Sequence, residues 1–293
     1  MNYGLRPSRR ATVLYLAPFF LIFLFMKIVP LLMAGGFSFY KFSNIRNMKW
    51  IGLDNYVRLF HDKNVLIALK NNLFLVVVCM IGQIGIAFFL ANLLNVKAVR
   101  FAGFHRTVMY FPVTISPVII GFIWQMVYNY NYGILPYAMR ALGLAAHVRP
   151  WLSDAGTVMF FVCLPMIWQY IGFQLVIIMA AMTSIDASIY EMAQIDGAGE
   201  WQKARYITLP LLRGTLSTCV VLCISANIGA FDHIMAITGG GPGNASMVLA
   251  LYTYKTSFIN FEMGYGSALS IAIFVITAVC FVLGRVLTRS REE

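Results

Sequence analysis

The sequence predicts an all-α integral membrane protein of six transmembrane helices, and three observations carry that prediction. Of 293 residues, 60% are hydrophobic and 11% charged, with a mean hydropathy of +0.76. A soluble domain holds about 25% charged and about 45–50% apolar residues, and one aqueous core cannot absorb the excess seen here, so apolar surface faces lipid. Six runs reach the roughly 20 residues that a helix needs to cross the hydrocarbon layer: 11–34, 69–94, 107–128, 156–181, 212–235 and 265–288. The runs are continuously apolar, whereas barrel strands alternate in short segments. With no internal repeat and no low-complexity linker, residues 1–293 read as a single transmembrane domain.

The first run follows Arg6, Arg9 and Arg10, as a secretory signal does. It exceeds the roughly 7–15 residues of a signal's apolar region and no small-x-small site closes it, so it reads as a span. Lys27 within it either snorkels to the outer interface or lines a pathway. In the next loop, Leu53, Tyr56, Val57 and Phe60 follow Trp50 at i, i+3, i+4, i+7 spacing, predicting a short helix. That helix suits either the membrane interface or a packing position on the bundle.

Pro112, Pro117 and Pro165 lie in or beside spans and predict kinks, and Trp124, Tyr128, Tyr130 and Tyr132 form an aromatic belt. Six spans put both termini on one side. Arg6, Arg9 and Arg10, with Arg285, Arg289 and Arg291 at the other end and Lys97, Arg100 and Arg106 between spans two and three, make that side cytoplasmic. Lys41, Arg46, Lys49, Arg58, Lys63 and Lys70 in the first outer loop run against the rule.

Several function classes fall away. The net charge of +11 is scattered, without the dense basic stripe and folded motif of a nucleic-acid binder. Cys79, Cys163, Cys219, Cys223 and Cys280 all sit in apolar runs, which suits packing rather than a disulfide framework or zinc site. His61, His105, His147 and His233 are far apart and make no H-E-x-x-H. There is no G-x-x-x-x-G-K-[ST] loop, and the glycines at 239–243 read as an outer turn rather than a phosphate cradle. The chain is expected to be no enzyme and to hold no metal or cofactor.

Residues 182–210, between spans four and five, are too polar to cross the membrane yet helical in pattern. Ile185, Ile189, Met192 and Ala193 share a face, Gly197 and Gly199 supply a break, Trp201–Ile207 suit a second helix, and Pro210 opens the next span. A helix-turn-helix at the cytoplasmic mouth suits the transfer of force from a soluble partner.

The same segment resembles the EAA motif of binding-protein-dependent ABC importer permeases, E-A-A-x3-G-x9-I-x-L-P. Glu191, Ala193, Gly197, Ile207, Leu209 and Pro210 match it at the required spacing, and Asp196-Gly197-Ala198 is a common form of its centre. Met192 stands in place of the second alanine, and Ala204 where many relatives carry an aromatic. Gly52-Leu53-Asp54-Asn55-Tyr56, Trp201-Gln202, Phe231-Asp232 and Thr238–Pro242 extend the likeness to the carbohydrate-uptake family, on the MalF-like side of the heterodimer.

The resemblance implies a type I importer permease fold in a bacterial inner membrane. It implies a second homologous permease, two ATPase subunits that bind ATP and Mg, and an extracytoplasmic solute-binding protein as partners. It makes the segment a coupling helix in a groove of the ATPase, with Glu191, Ala193, Asp196, Gly197, Ala198, Trp201, Tyr206, Ile207, Leu209 and Pro210 as its coupling residues.

A sugar pathway calls for amides that pair with hydroxyls and aromatic rings that stack on C–H faces. Trp124, Gln125, Trp168, Gln169, Gln174 and Asn227 are the pathway candidates, with interhelical bonding as the alternative role for each. Asp232, near the outer end of span five, reads as a cap or positioning group for the outer loop, with substrate binding as the alternative. Glycerol-3-phosphate is the competing cargo, disfavoured because Lys27 is the one cation well inside a span. A secondary carrier is a distant alternative, since few carboxylates lie along the spans to relay protons.

Overall fold

The computed structural model describes residues 9–95 and 101–289, which fall into two compact units. Of the basic residues used above for orientation, Arg6, Lys97, Arg100 and Arg291 lie outside the described residues.

The first unit takes in residues up to 61 and residues 253–272. Helix α1, Thr12–Phe37, is long and apolar enough to cross a membrane. It carries a π-helical turn at Leu24–Ile28, and Lys27 within that turn is exposed. A two-stranded antiparallel ribbon follows, β1 (Tyr40–Lys41) against β2 (Lys49–Trp50). Helix α2, Asp54–His61, is the short helix expected from the spacing. Leu53, Val57 and Phe60 are exposed, while the Tyr56 hydroxyl bonds Ser38 at 2.7 Å and the Asn55 amide donates to the Ser38 carbonyl at 2.7 Å. The polar residues hold α2 down and its apolar residues face outward, as an interfacial helix requires.

The second unit, residues 62–252 with 273 onward, contains the candidate site. Its elements are α3 (Lys63–Asn95), α4 (Ala102–Tyr110), α5 (Pro117–Tyr128), α6 (Ile134–Ala141), α7 (Val158–Met182), α8 (Ala187–Ile195), α9 (Glu200–Leu211), α10 (Arg213–Ile228), α11 (Asp232–Ile237) and α12 (Leu249–Tyr254). Helix α13, Met263–Arg289, ends the described chain. Helices α3 and α7 are the central pair. Leu75, Cys79, Val162, Cys163 and Met166 fill one core cluster, and Ala87, Ala91, Leu175, Ile178 and Cys219 a second. Small residues set the spacing: a Cβ on Gly82 would meet Ile167 Cδ1 at 2.5 Å, and one on Gly172 would run into the Met109 carbonyl. Close backbone approach of this kind takes the place of hydrophobic drive between helices in lipid.

Two crossings expected as continuous helices are broken. Between Ala102–Thr114 and Pro117–Tyr128 the axis turns by 98°. Ser116 precedes Pro117, whose ring bars it from the helical region, and it sits at φ −56°, ψ 134°. Between Glu200–Leu211 and Arg213–Ile228 the axis turns by 76°. Pro210 has no amide to offer the carbonyl four residues back, and the preceding turn, Ala204–Thr208, widens to π-helical geometry. Helix α10 also stops at Ile228, so the expected run to 235 is interrupted before α11. Pro165 leaves α7 unbroken. Among the described residues, four helices are thus long and apolar enough to cross, or six when each bent pair forms one crossing.

Candidate functional site

The first candidate site is the hairpin α8–α9. Asp186 caps α8, its carboxylate accepting the Ser188 amide at 2.9 Å, and this bond holds its pKa below the ordinary carboxylate value. The helix ends where Gly197 takes φ +79°, a left-handed value that L side chains rarely adopt. The amides of Gly197 and Ala198 close the turn on the carbonyls of Gln194 and Ala193, at 3.1 and 2.9 Å. Gln202 Oε1 then accepts the Gly199 amide at 2.8 Å, opening α9.

The two arms are tied together by Tyr190 and Thr208, whose hydroxyls lie 3.0 Å apart. Lys203 is buried but reaches Glu200 at 2.8 Å. Ala204 is 4% exposed, so this position is packed rather than presented to a partner. The tip is bare: Glu191, Asp196 and Gly197 are exposed, as are Met192 and Ile195, the latter at 86%. Trp201, Tyr206 and Leu209 are exposed on α9, whereas Ala193, Ala198, Ile207 and Pro210 are half-buried. Glu191 forms no ion pair among the described residues. The arrangement is a capped knob that offers the carboxylates of Glu191 and Asp196 beside apolar side chains.

The second candidate is a part-open cavity of about 430 Å³ lined by α3, α7, α10, the start of α11 and the break that leads into α5. Of the pathway candidates it gathers Gln174 and Asn227. Gln174 is 2% exposed and its Oε1 has no hydrogen-bond partner among the described residues. Asn227 donates to the Cys223 carbonyl at 2.8 Å. Gln169 stands behind the wall, its Nε2 donating to the Ile115 carbonyl at 2.8 Å and its Oε1 lying 2.6 Å from His233 Nε2. Trp124, Gln125 and Trp168 do not line the cavity. The two indoles pack edge-to-face at 5.9 Å, and Gln125 Nε2 donates to the Ile237 carbonyl at 3.3 Å.

Sequence reading missed Gln83 and His233 as cavity residues, and favoured an outer-loop role for Asp232 over substrate binding. Asp232 opens α11 and lines the cavity. Gln83 is held by the Met166 carbonyl at 3.2 Å, an arrangement that pairs residues 83 positions apart and that local periodicity does not mark. A cavity with these amides, the Tyr170 ring and one carboxylate is chemically suited to a hydroxyl-rich solute.

Comparison with known proteins agrees with this architecture. Residues 83–292 match the model of the family described as "Binding-protein-dependent transport system inner membrane component". The chain is 35% identical over 266 residues to the probable ABC transporter permease protein YurN of Bacillus subtilis, covering 90% of this chain and 91% of that one. It is 29% identical to the multiple sugar-binding transport system permease protein MsmF of Streptococcus mutans, covering 90% and 94%. Among solved structures, a bacterial ABC transporter that imports the acidic polysaccharide alginate superposes with a TM-score of 0.84 at 24% identity, over 97% and 98% of the two chains. The alginate ABC transporter in complex with its pentasaccharide-bound periplasmic protein gives 0.80 at 25% identity, over 96% and 93%. A bundle with broken crossings, a capped hairpin at its end and a polar cavity within is therefore accounted for: the chain belongs to the binding-protein-dependent transport system inner membrane components, the permease subunits of ABC importers.

Proposed function

We propose that this permease forms, as one transmembrane domain, half of the translocation pathway for a neutral sugar or oligosaccharide, and that the α8–α9 hairpin receives the force of a separate ATPase. The observation that carries this reading is the exposed tip, with Glu191 beside Met192 and Ile195 and the turn fixed by Gly197 at φ +79°. Its bare apolar side chains suit a groove on a soluble partner, and Glu191 suits a basic group there. Both termini lie on the same, cytoplasmic side as the hairpin. A second permease completes the pathway, two ATPase subunits bind ATP and Mg, and a solute-binding protein delivers the cargo from outside.

Sugar cargo is supported by the relatives' transport of sugars and by the lining of amides and aromatic groups around Gln174 and Asn227. Among the described residues, no Lys or Arg lines the cavity, which disfavours glycerol-3-phosphate and other anions. ATP shifts the bundle between inward- and outward-facing states only by acting differently on the two.

The test is uptake by vesicles that contain the complete transporter. Glu191→Arg and Gly197→Pro are expected to abolish uptake and its coupling to ATP hydrolysis while the protein still inserts and expresses. Normal transport by both variants refutes the coupling role.

A further inference from the structure

An open groove of about 810 Å³ runs from the side of α9 onto the wall formed by α10 and α3. Arg205 and Arg213 stand at its rim with Trp201 and Tyr206, and Phe88, Leu216 and Val220 make its floor. Among the described residues, no Asp or Glu lines it. The guanidinium of Arg205 lies 5.8 Å from the centre of the Tyr206 ring, and neither arginine joins an ion pair among the described residues. Arg213 sits in the first turn of α10, where the helix's own positive end opposes a cation, so helix stability does not explain it.

Depth gives the second constraint. From Arg213 to Val220 the floor descends seven residues, about 10 Å at 1.5 Å per residue, or roughly a third of a 30 Å hydrocarbon layer. Two cations therefore stand where headgroups lie, Trp201 and Tyr206 occupy the level that such rings favour, and an apolar slot continues beneath them. A small anion uses the rim and leaves the slot unfilled. A neutral lipid fills the slot and leaves the arginines without a counter-charge.

We propose that this groove binds an anionic phospholipid of the cytoplasmic leaflet, its phosphate between Arg205 and Arg213 and its acyl chains along Phe88, Leu216 and Val220. The inference rests on the reading that the hairpin faces the cytoplasm. Trp201 reports occupancy directly because it stands on the rim.

The full chain is reconstituted in phosphatidylcholine vesicles that contain a minor fraction of phosphatidylglycerol or phosphatidylcholine brominated on the acyl chain. The Trp201 signal is isolated by comparison with Trp201→Phe. Brominated phosphatidylglycerol is expected to quench it with an apparent preference between about fivefold and about thirtyfold, the range for two basic groups near an anionic headgroup. The Arg205→Gln, Arg213→Gln pair loses the preference and the Arg205→Lys, Arg213→Lys pair keeps it. Equal quenching by the two lipids, a preference that survives the glutamines, or one that the lysines also lose overturns the proposal. Relief of quenching by millimolar inorganic phosphate also overturns it, by showing a bare anion site. Sidedness is read separately, from a cysteine at Gln194 and a membrane-impermeant maleimide. Labelling from outside removes the cytoplasmic reading itself, whereas cytoplasmic labelling without lipid preference sinks only the lipid site.

Discussion

Nε2 of His233 lies 2.6 Å from Oε1 of Gln169, which joins the middle of α7 to the first turn of α11. Gln169 also donates to the Ile115 carbonyl, in the extended stretch between α4 and α5. One carboxamide thus braces the break in the third crossing and the wall of the cavity. Gln169→Ala leaves the carbonyl and the imidazole N–H unpaired in a buried place, at a cost of about 1–3 kcal/mol each. A lower melting temperature in detergent is expected, with the KM for uptake by the surviving protein unchanged. A raised KM at unchanged melting temperature contradicts the bracing role.

Asn72 makes a second tie of this kind. Its amide donates to the carbonyls of Asn227 and Ile228, both at 3.1 Å, and its oxygen accepts the Leu249 amide at 2.8 Å. It therefore holds the end of α10 to the start of α12 and is itself 2% exposed. Asn72→Leu is expected to destabilise the protein by about 2 kcal/mol, since hydrogen bonds in membrane proteins average below the soluble value. Unfolding in a denaturant series measures the loss.

Gly172 faces backbone rather than side chains: a Cβ there would lie 2.6 Å from Tyr110 Cα. Backbone cannot swing aside as a side-chain tip does, so Gly172→Ala is expected to cost more than the roughly 1–3 kcal/mol of ordinary overpacking. Poor recovery of folded protein on size exclusion is the readout. Gly85, with open space around it, is the control, and Gly85→Ala is expected to be tolerated.

The ion pair Arg58–Glu262, at 2.7 Å, has both side chains nearly half exposed. Solvent screening limits such a pair to about 0–1 kcal/mol. Glu262→Gln is expected to shift the melting temperature little and to make it less sensitive to salt. The Arg58 guanidinium also lies 3.9 Å from the centre of the Tyr265 ring, so Arg58→Ala should cost more than Glu262→Gln.

Most of the architecture was legible because membrane crossing is a matter of local composition: a run of apolar residues marks its own place. The hairpin was legible for a similar reason. Ile185, Ile189, Met192 and Ala193 mark one face and Gly197 marks the turn, and each signal acts within a few residues of itself. The 98° break was half legible, since Pro117 restricts Ser116, but expecting a kink differs from expecting a full turn. The 76° bend was likewise half legible: Pro210 marks a helix start, but nothing local shows the widening of the preceding turn at Ala204–Thr208.

The cavity shows the limit most clearly. Gln174 and Asn227 were chosen for their chemistry alone, and so were Trp124, Gln125 and Trp168, which lie elsewhere. What separates the two groups is how α3, α7 and α10 meet. Cys223 and Gln83, whose Sγ and Oε1 lie 3.5 Å apart, are separated by 140 positions in the chain.

The bend at Leu212 makes α10 a pointer pivoted at the foot of the hairpin. Fifteen residues separate Leu212 from Asn227, about 22 Å of helix. A swing of about ten degrees at the pivot carries Asn227 roughly 4 Å sideways, more than the length of a hydrogen bond. A displacement of that size breaks the two bonds by which Asn72 holds the carbonyls of Asn227 and Ile228, so those bonds fix where the far end of the pointer rests.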